Sequence, residues 1–258
     1  MTEPALPRII NMMSRNDQEF IRAILKSLSH CPYTYMIPDS FPVELISWDH
    51  ATTLSRSLAA MIRVSRFQPD IVIAIGRGGY VPARIVCDRL LMNDLTSIKI
   101  EHWGTAAHKL DQAQVRFPLS VNVEGMDILV VDDITDTGET LMAAREYLAL
   151  AKPGEIRTGV LQHKTSSAYQ PDYYAELISD WKWIVYPWAL HEDMVGFLEK
   201  VLSIRPASAG DLAEDLRRRF MMSPDMEEVI LALNDMISLE TAARQGDLYY
   251  APGRTKHP

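Results

Sequence analysis

The sequence predicts an α/β fold built on a mostly parallel, helix-flanked sheet, followed by a small C-terminal α+β segment. Three observations point there. Two apolar runs, Ile71-Val72-Ile73-Ala74-Ile75 and Ile128-Leu129-Val130-Val131, each lead into a glycine-containing turn and then a helical pattern. Short, uninterrupted, β-branched runs are what strands covered on both faces of a parallel sheet require. Beyond residue 190 the pattern changes to three amphipathic stretches and a turn-joined pair of short strands.

Taken in order, residues 1–15 carry Pro4 and Pro7 and little periodicity, and read as an arm. Phe20, Ile21, Ile24, Leu25 and Leu28 form one apolar stripe of a helix over residues 17–28. Pro32, Pro38 and Pro42 then favour an extended connection, so residues 1–45 form an N-terminal arm and helix. Ser47 is a candidate N-cap for a helix with Ala51, Leu54, Leu58, Met61 and Ile62 at helical spacing. The strand at 71–75 runs into Gly76-Arg77-Gly78-Gly79, and Pro82 suits the first turn of a helix reaching about Leu91. Residues 96–100 read as the next strand. Residues 102–118, with His102, Trp103, His108, Lys109 and Arg116, read as a polar mobile loop. Residues 157–162 form a further strand, followed by His163-Lys164 and then an aromatic segment at 180–188.

Bulk properties narrow the function classes. A chain of 258 residues holds one large domain, or a domain with a small appendage. Its net charge of −8 argues against wholesale nucleic-acid binding, which leans on basic surface. Cys31 and Cys87 share no CxxC, so neither a disulfide framework nor a zinc site is expected. No secretory signal pattern and no apolar run of membrane-spanning length is visible, so a cytoplasmic protein without membrane contact is expected.

The chemistry concentrates in residues 127–141, DILVVDDITDTGETL. Asp132 and Asp133 end the strand and Asp136 follows, at the carboxyl edge where open α/β sheets bind ligands. The turn through Gly138 opens a helix, whose free N–H groups and positive dipole end favour an anion. The GRGG turn offers a second anion site at the same level, with glycines for close backbone approach and the Arg77 fork.

At these residues the chain resembles the phosphoribosyltransferases that use phosphoribosyl diphosphate (PRPP). Their signature is a strand, two acids, two mostly apolar residues, then Asp/Thr-Thr-Gly-x-Thr. VVDDITDTGET matches it at nearly every position, Thr135 being a mild departure. The resemblance implies a doubly wound, mostly parallel sheet with a small hood over residues 46–190. It also implies Mg²⁺, and Asp132 and Asp133 facing the ribose hydroxyls and the metal. Asp136 would act as acid/base near the base. Asp136, Thr137, Gly138, Glu139 and Thr140 would take the 5′-phosphate, and Gly76, Arg77, Gly78 and Gly79 the diphosphate. By the same resemblance the Gly76-Arg77 peptide bond is expected to be cis, and residues 102–118 to be a flap closing over the sugar. Glu139 departs from the small residue of the xanthine-guanine branch and adds negative charge beside a phosphate.

ISWDH at residues 46–50 and the Trp183-Ile184 pair resemble that xanthine-guanine branch. There Lys164 would bind the purine 6-oxygen, Trp183 would stack on the ring and the Ile184 backbone would meet the base edge. An ammonium favours a carbonyl acceptor over an amino group, and an aromatic face binds any flat base. Core packing is the other reading of Trp183, and His163 reads as structural.

Residues 191–258 lie outside the resemblance. Three helices and a hairpin give the order of a winged-helix-like domain, yet eight Lys/Arg stand against twelve Asp/Glu there. The third helix carries Glu227, Glu228 and Asp235, with Asn234 its one candidate base reader, and Arg217-Arg218-Arg219 lie on the second. A packing or oligomerisation role is favoured over DNA recognition. The expected function is therefore a 6-oxopurine phosphoribosyltransferase, binding PRPP and a purine base and forming a homo-oligomer. The alternatives are a PRPP-sensing transcriptional regulator and a pyrimidine-handling member of the family.

Overall fold

The computed structural model describes residues 40–103 and 109–251. The expected arm and helix at 1–39, with Cys31, lie outside the described residues, as do His108 and the side chains of His102, Trp103 and Lys109.

Six strands form the central sheet. In chain order they are β2 (Ile71–Gly76), β3 (Leu95–Trp103), β4 (Lys109–Phe117), β5 (Ile128–Thr135), β6 (Ile156–Lys164) and β7 (Tyr173–Ile178). Their spatial order is β4-β3-β2-β5-β6-β7, all parallel except the β3–β4 pair. The strand β1 (Val43–Leu45) pairs separately, in parallel, with β8 (Trp183–Val185), and this two-stranded piece is the hood.

Alternation along the two central strands explains the helices on both faces. Val72, Ala74, Leu129 and Val131 pack with α1 (Trp48–Val64) and α2 (Tyr80–Leu90) through Leu54, Leu58, Ile62, Ala83 and Val86. Ile71, Ile73, Ile75, Ile128 and Val130 pack on the other side with Leu141, Ala144 and Leu148 of α3 (Glu139–Ala149). Ser47 caps α1, its side chain accepting from the His50 N–H at 3.1 Å.

The expected loop at 102–118 is a correction. Residues 109–117 form β4, antiparallel to β3. Ala113, Val115 and Phe117 alternate with Gln114 and Arg116, the period of a strand, and an outermost antiparallel strand tolerates a polar face.

The tail forms α4 (Leu190–Leu202), α5 (Ala209–Phe220), α6 (Met226–Ser238) and the hairpin β9 (Ala243–Gln245)–β10 (Leu248–Tyr250). Ser208 and Asp211 make a reciprocal capping box at the start of α5. Leu198, Leu216, Phe220, Leu233 and Met236 of these helices share one core with Phe41, Val43 and Val185 of the hood. The tail is therefore packed against the hood, which brings the first turn of α4 to the site described next. Among the described residues no helix is long and apolar enough to cross a membrane.

Candidate active site

The chain leaves β2 toward β3 and leaves β5 toward β6, in opposite directions across the sheet. The crevice at the carboxyl ends of β2 and β5 is thus the topological switch point, the usual ligand position in open α/β sheets. GRGG follows β2 and the acidic turn follows β5, so the two anion-binding candidates meet there. The contact is close: a Cβ on Gly78 would collide with the Asp133 carboxylate. The Gly76-Arg77 peptide bond is cis.

Asp132 is buried, and Asp133 is partly buried behind it, its own N–H donating to Asp132 Oδ1 at 2.9 Å. Burial, with the Asp133 charge beside it, pushes the Asp132 carboxyl well above the usual carboxylate range. Burial pushes Asp133 up to about 6, opposed by the Trp188 indole hydrogen bond. Trp188 Nε1 donates to Asp133 Oδ2 at 3.3 Å, and its ring stacks on Tyr186 with centroids 4.7 Å apart and planes 4° from parallel. The Tyr186 hydroxyl is shared between the Asp133 carbonyl at 3.0 Å and Gln162 Oε1 at 2.8 Å. Tyr186 and Trp188 thus fix the acidic strand end. Neither was singled out from the sequence, although both stand in the aromatic segment that follows Trp183-Ile184.

Gly138 caps α3 from the left-handed region, φ 86°. A Cβ there would lie 2.5 Å from Tyr169 Cβ and 2.7 Å from Ser167 Oγ. The turn 136–140 is therefore pressed against the loop after β6, where Ala168 N–H donates to the Thr137 carbonyl at 3.1 Å. Gly138→Ala is expected to cost about 1–3 kcal/mol, from the strained φ and the displaced loop. Thermal denaturation would show this as a Tm lowered by several degrees, and an unchanged Tm would contradict it.

β5 and β6 run in register, Thr135 beside His163, so the next residues of each, Asp136 and Lys164, are also neighbours. Lys164 Nζ lies 3.0 Å from Asp136 Oδ2. The lysine is 3% exposed and the aspartate 35%, so the pair runs from the interior to the solvent-facing end of β5 and β6. Burial lowers the Lys164 pKa, and the Asp136 carboxylate partly restores it. The ammonium also sits over the Trp181 ring, 5.3 Å from its centroid, a partner that sequence reasoning missed. Only folding brings Trp181 to Lys164.

Trp183 and Ile184 lie in β8. Trp183 is partly buried, its ring centroid 6.5 Å from Phe41, and its Nε1 donates to Asp193 Oδ1 at 3.3 Å. Burial pushes Asp193 up to about 6. Ile184 pairs with Glu44 and packs against the α1–α2 side of the core. Arg77 reaches across to α4, where Nη2 donates to Glu192 Oε1 at 2.7 Å and Oε2 at 2.6 Å. That hydrogen bond and the Glu192 charge raise the Arg77 pKa further.

Asp132 and Asp133 fit a magnesium ion held partly by substrate. Both carboxyls are pushed up by burial, Asp132 also by the Asp133 charge, and a hard cation would relieve them; Mg²⁺ commonly takes one or two carboxylates plus phosphate oxygens. Among the described residues no group of three or more His, Cys, Asp or Glu forms an all-protein metal cage.

Known proteins are similar to this chain over the residues that build the sheet and its turns. Residues 47–193 match the model of the phosphoribosyl transferase domain. A xanthine-guanine phosphoribosyltransferase of Idiomarina loihiensis is 31% identical over 146 residues, covering 57% of this chain and 86% of that protein. The enzyme of the same name from Ruegeria sp. is 31% identical over 153 residues, covering 55% of this chain and 83% of that one. The crystal structure of a purine phosphoribosyltransferase from Pyrococcus horikoshii superposes with a TM-score of 0.50 at 27% identity, over 57% of this chain and 93% of that one. With more than half its length in that domain, and with both sequence motifs meeting at the switch point of the sheet, the chain belongs to the phosphoribosyltransferase family.

Proposed function

We propose that this protein transfers the 5-phosphoribosyl group from PRPP to a 6-oxopurine, releasing diphosphate, as a purine-salvage enzyme. The observation that carries the proposal is the Asp136–Lys164 contact at 3.0 Å. It sets a carboxylate that can accept a proton beside an ammonium that can donate to a 6-oxo group, at the mouth of the switch-point crevice. The names of the relatives point to the same substrate class.

In this reading the base nitrogen attacks the anomeric carbon as the bond to the diphosphate oxygen breaks. The nitrogen's proton passes to Asp136. Lys164 fixes the 6-oxygen, Trp183 stacks on the ring and the Ile184 backbone meets the base edge. The 136–140 turn, with Thr137, Gly138, Glu139 and Thr140, holds the 5′-phosphate. Gly76, Arg77, Gly78 and Gly79 hold the diphosphate. Asp132 and Asp133 orient the ribose hydroxyls and would hold Mg²⁺, which stabilises the charge developing on the diphosphate. The chain is read as a cytoplasmic homo-oligomer.

Residues 191–258 are read as a packing module for the hood. In the basic cluster of α5, Arg217 pairs with Glu214 and Arg218 with Asp215. Steady-state assays with PRPP and a panel of hypoxanthine, guanine, xanthine, adenine and uracil, with and without Mg²⁺, test the assignment. Turnover is expected with the 6-oxopurines and little with adenine. A preference for adenine or uracil would sink the base assignment. Absent turnover with sequence-specific, salt-dependent DNA binding would favour the regulator.

A further inference from the structure

We propose that Glu192 is an internal competitor for the diphosphate group. Its carboxylate occupies the Arg77 guanidinium until PRPP displaces it, so the C-terminal segment sets how tightly the enzyme holds PRPP. This rests on the reading of Gly76-Arg77-Gly78-Gly79 as the diphosphate loop.

The contact has the form of a substrate mimic. Arg77 Nη2 donates to both Glu192 oxygens, at 2.7 and 2.6 Å. Carboxylate and phosphate oxygens take the same donor geometry from a guanidinium, so one can stand in for the other. The two residues are 115 positions apart, and no local motif joins them.

The position of Glu192 is imposed by its neighbours. Asp193 accepts from Trp183 Nε1 at 3.3 Å, and Met194 is buried in the core shared by tail and hood. These anchors hold the first turn of α4 in place and leave the Glu192 side chain facing the loop. Both charged side chains are open to solvent, 67% exposed for Arg77 and 64% for Glu192. An exposed ion pair is weak and screened by salt, so it can exchange for a ligand. A diphosphate carries more negative charge than one carboxylate and wins the guanidinium. The displaced Glu192, held nearby by its backbone, then repels the bound diphosphate. Both effects weaken PRPP binding and neither touches the base.

The test is a double-mutant cycle with Glu192→Gln, Arg77→Ala and the pair combined. It reads KM for PRPP, KM for the base, and diphosphate affinity by calorimetry at low and high salt. Glu192→Gln is expected to lower the PRPP KM and tighten diphosphate binding about 2- to 5-fold, the range an exposed ion pair supports. The base KM should stay unchanged, the gain should shrink at high salt, and in the Arg77→Ala background it should fall to the smaller part that repulsion alone supplies. Unchanged or weakened diphosphate binding in Glu192→Gln, where Arg77→Ala weakens it, overturns the proposal and leaves Glu192 a structural contact. Diphosphate binding unaffected by Arg77→Ala overturns the loop assignment itself, and the proposal with it.

Discussion

Asp136→Asn is expected to lower kcat by roughly 10²- to 10⁴-fold, the range general acid–base groups supply, while the protein stays folded. In the proposed reaction this carboxylate takes the proton, and it touches the buried Lys164. Asparagine keeps the shape and a carbonyl oxygen that can still accept from the ammonium, so the local packing survives. It cannot take the proton released by the attacking base. The PRPP KM should change little, because the proposed 5′-phosphate site draws mainly on the backbone of the turn. Steady-state kinetics beside circular dichroism would check this. Near-normal turnover in the folded variant would remove Asp136 from the chemistry.

Lys164→Gln is expected to lower kcat/KM for hypoxanthine and guanine roughly 10- to 100-fold, the worth of a hydrogen bond from a charged donor. It should also narrow the gap to adenine, since a glutamine carbonyl can accept from the 6-amino group that an ammonium repels. Replacement by an apolar residue would instead leave Asp136 without its cation and mix electrostatic loss with specificity. Retained discrimination against adenine in the glutamine variant would show that another group reads the 6-position.

Much of this architecture was legible along the chain. Ile71–Ile75 and Ile128–Val131 announce buried strands because both faces of each are covered, as the two packed cores show. Ser47 announces a helix start because capping needs only a hydroxyl and the next three residues. The two glycine turns are legible for the same reason. β4 was not, because its polar face reads as a loop until β3 is there to pair with it. β1 and β8 are three residues each, too short for any period to register.

The site divides along the same line. Asp132, Asp133, Asp136, Gly138 and the GRGG turn are carried by runs of adjacent residues, so the sequence by itself determined which groups stand as candidates for PRPP. The order of the strands decided that these runs face one another, with Gly78 against Asp133. In-register β5 and β6 decided that Asp136 meets Lys164. Packing of the tail on the hood decided that Trp183 is held by Asp193 and Arg77 by Glu192. A periodicity or a cap is a property of a few neighbouring residues. A contact across 28 or 115 positions depends on how every intervening element packs, and no local pattern encodes it.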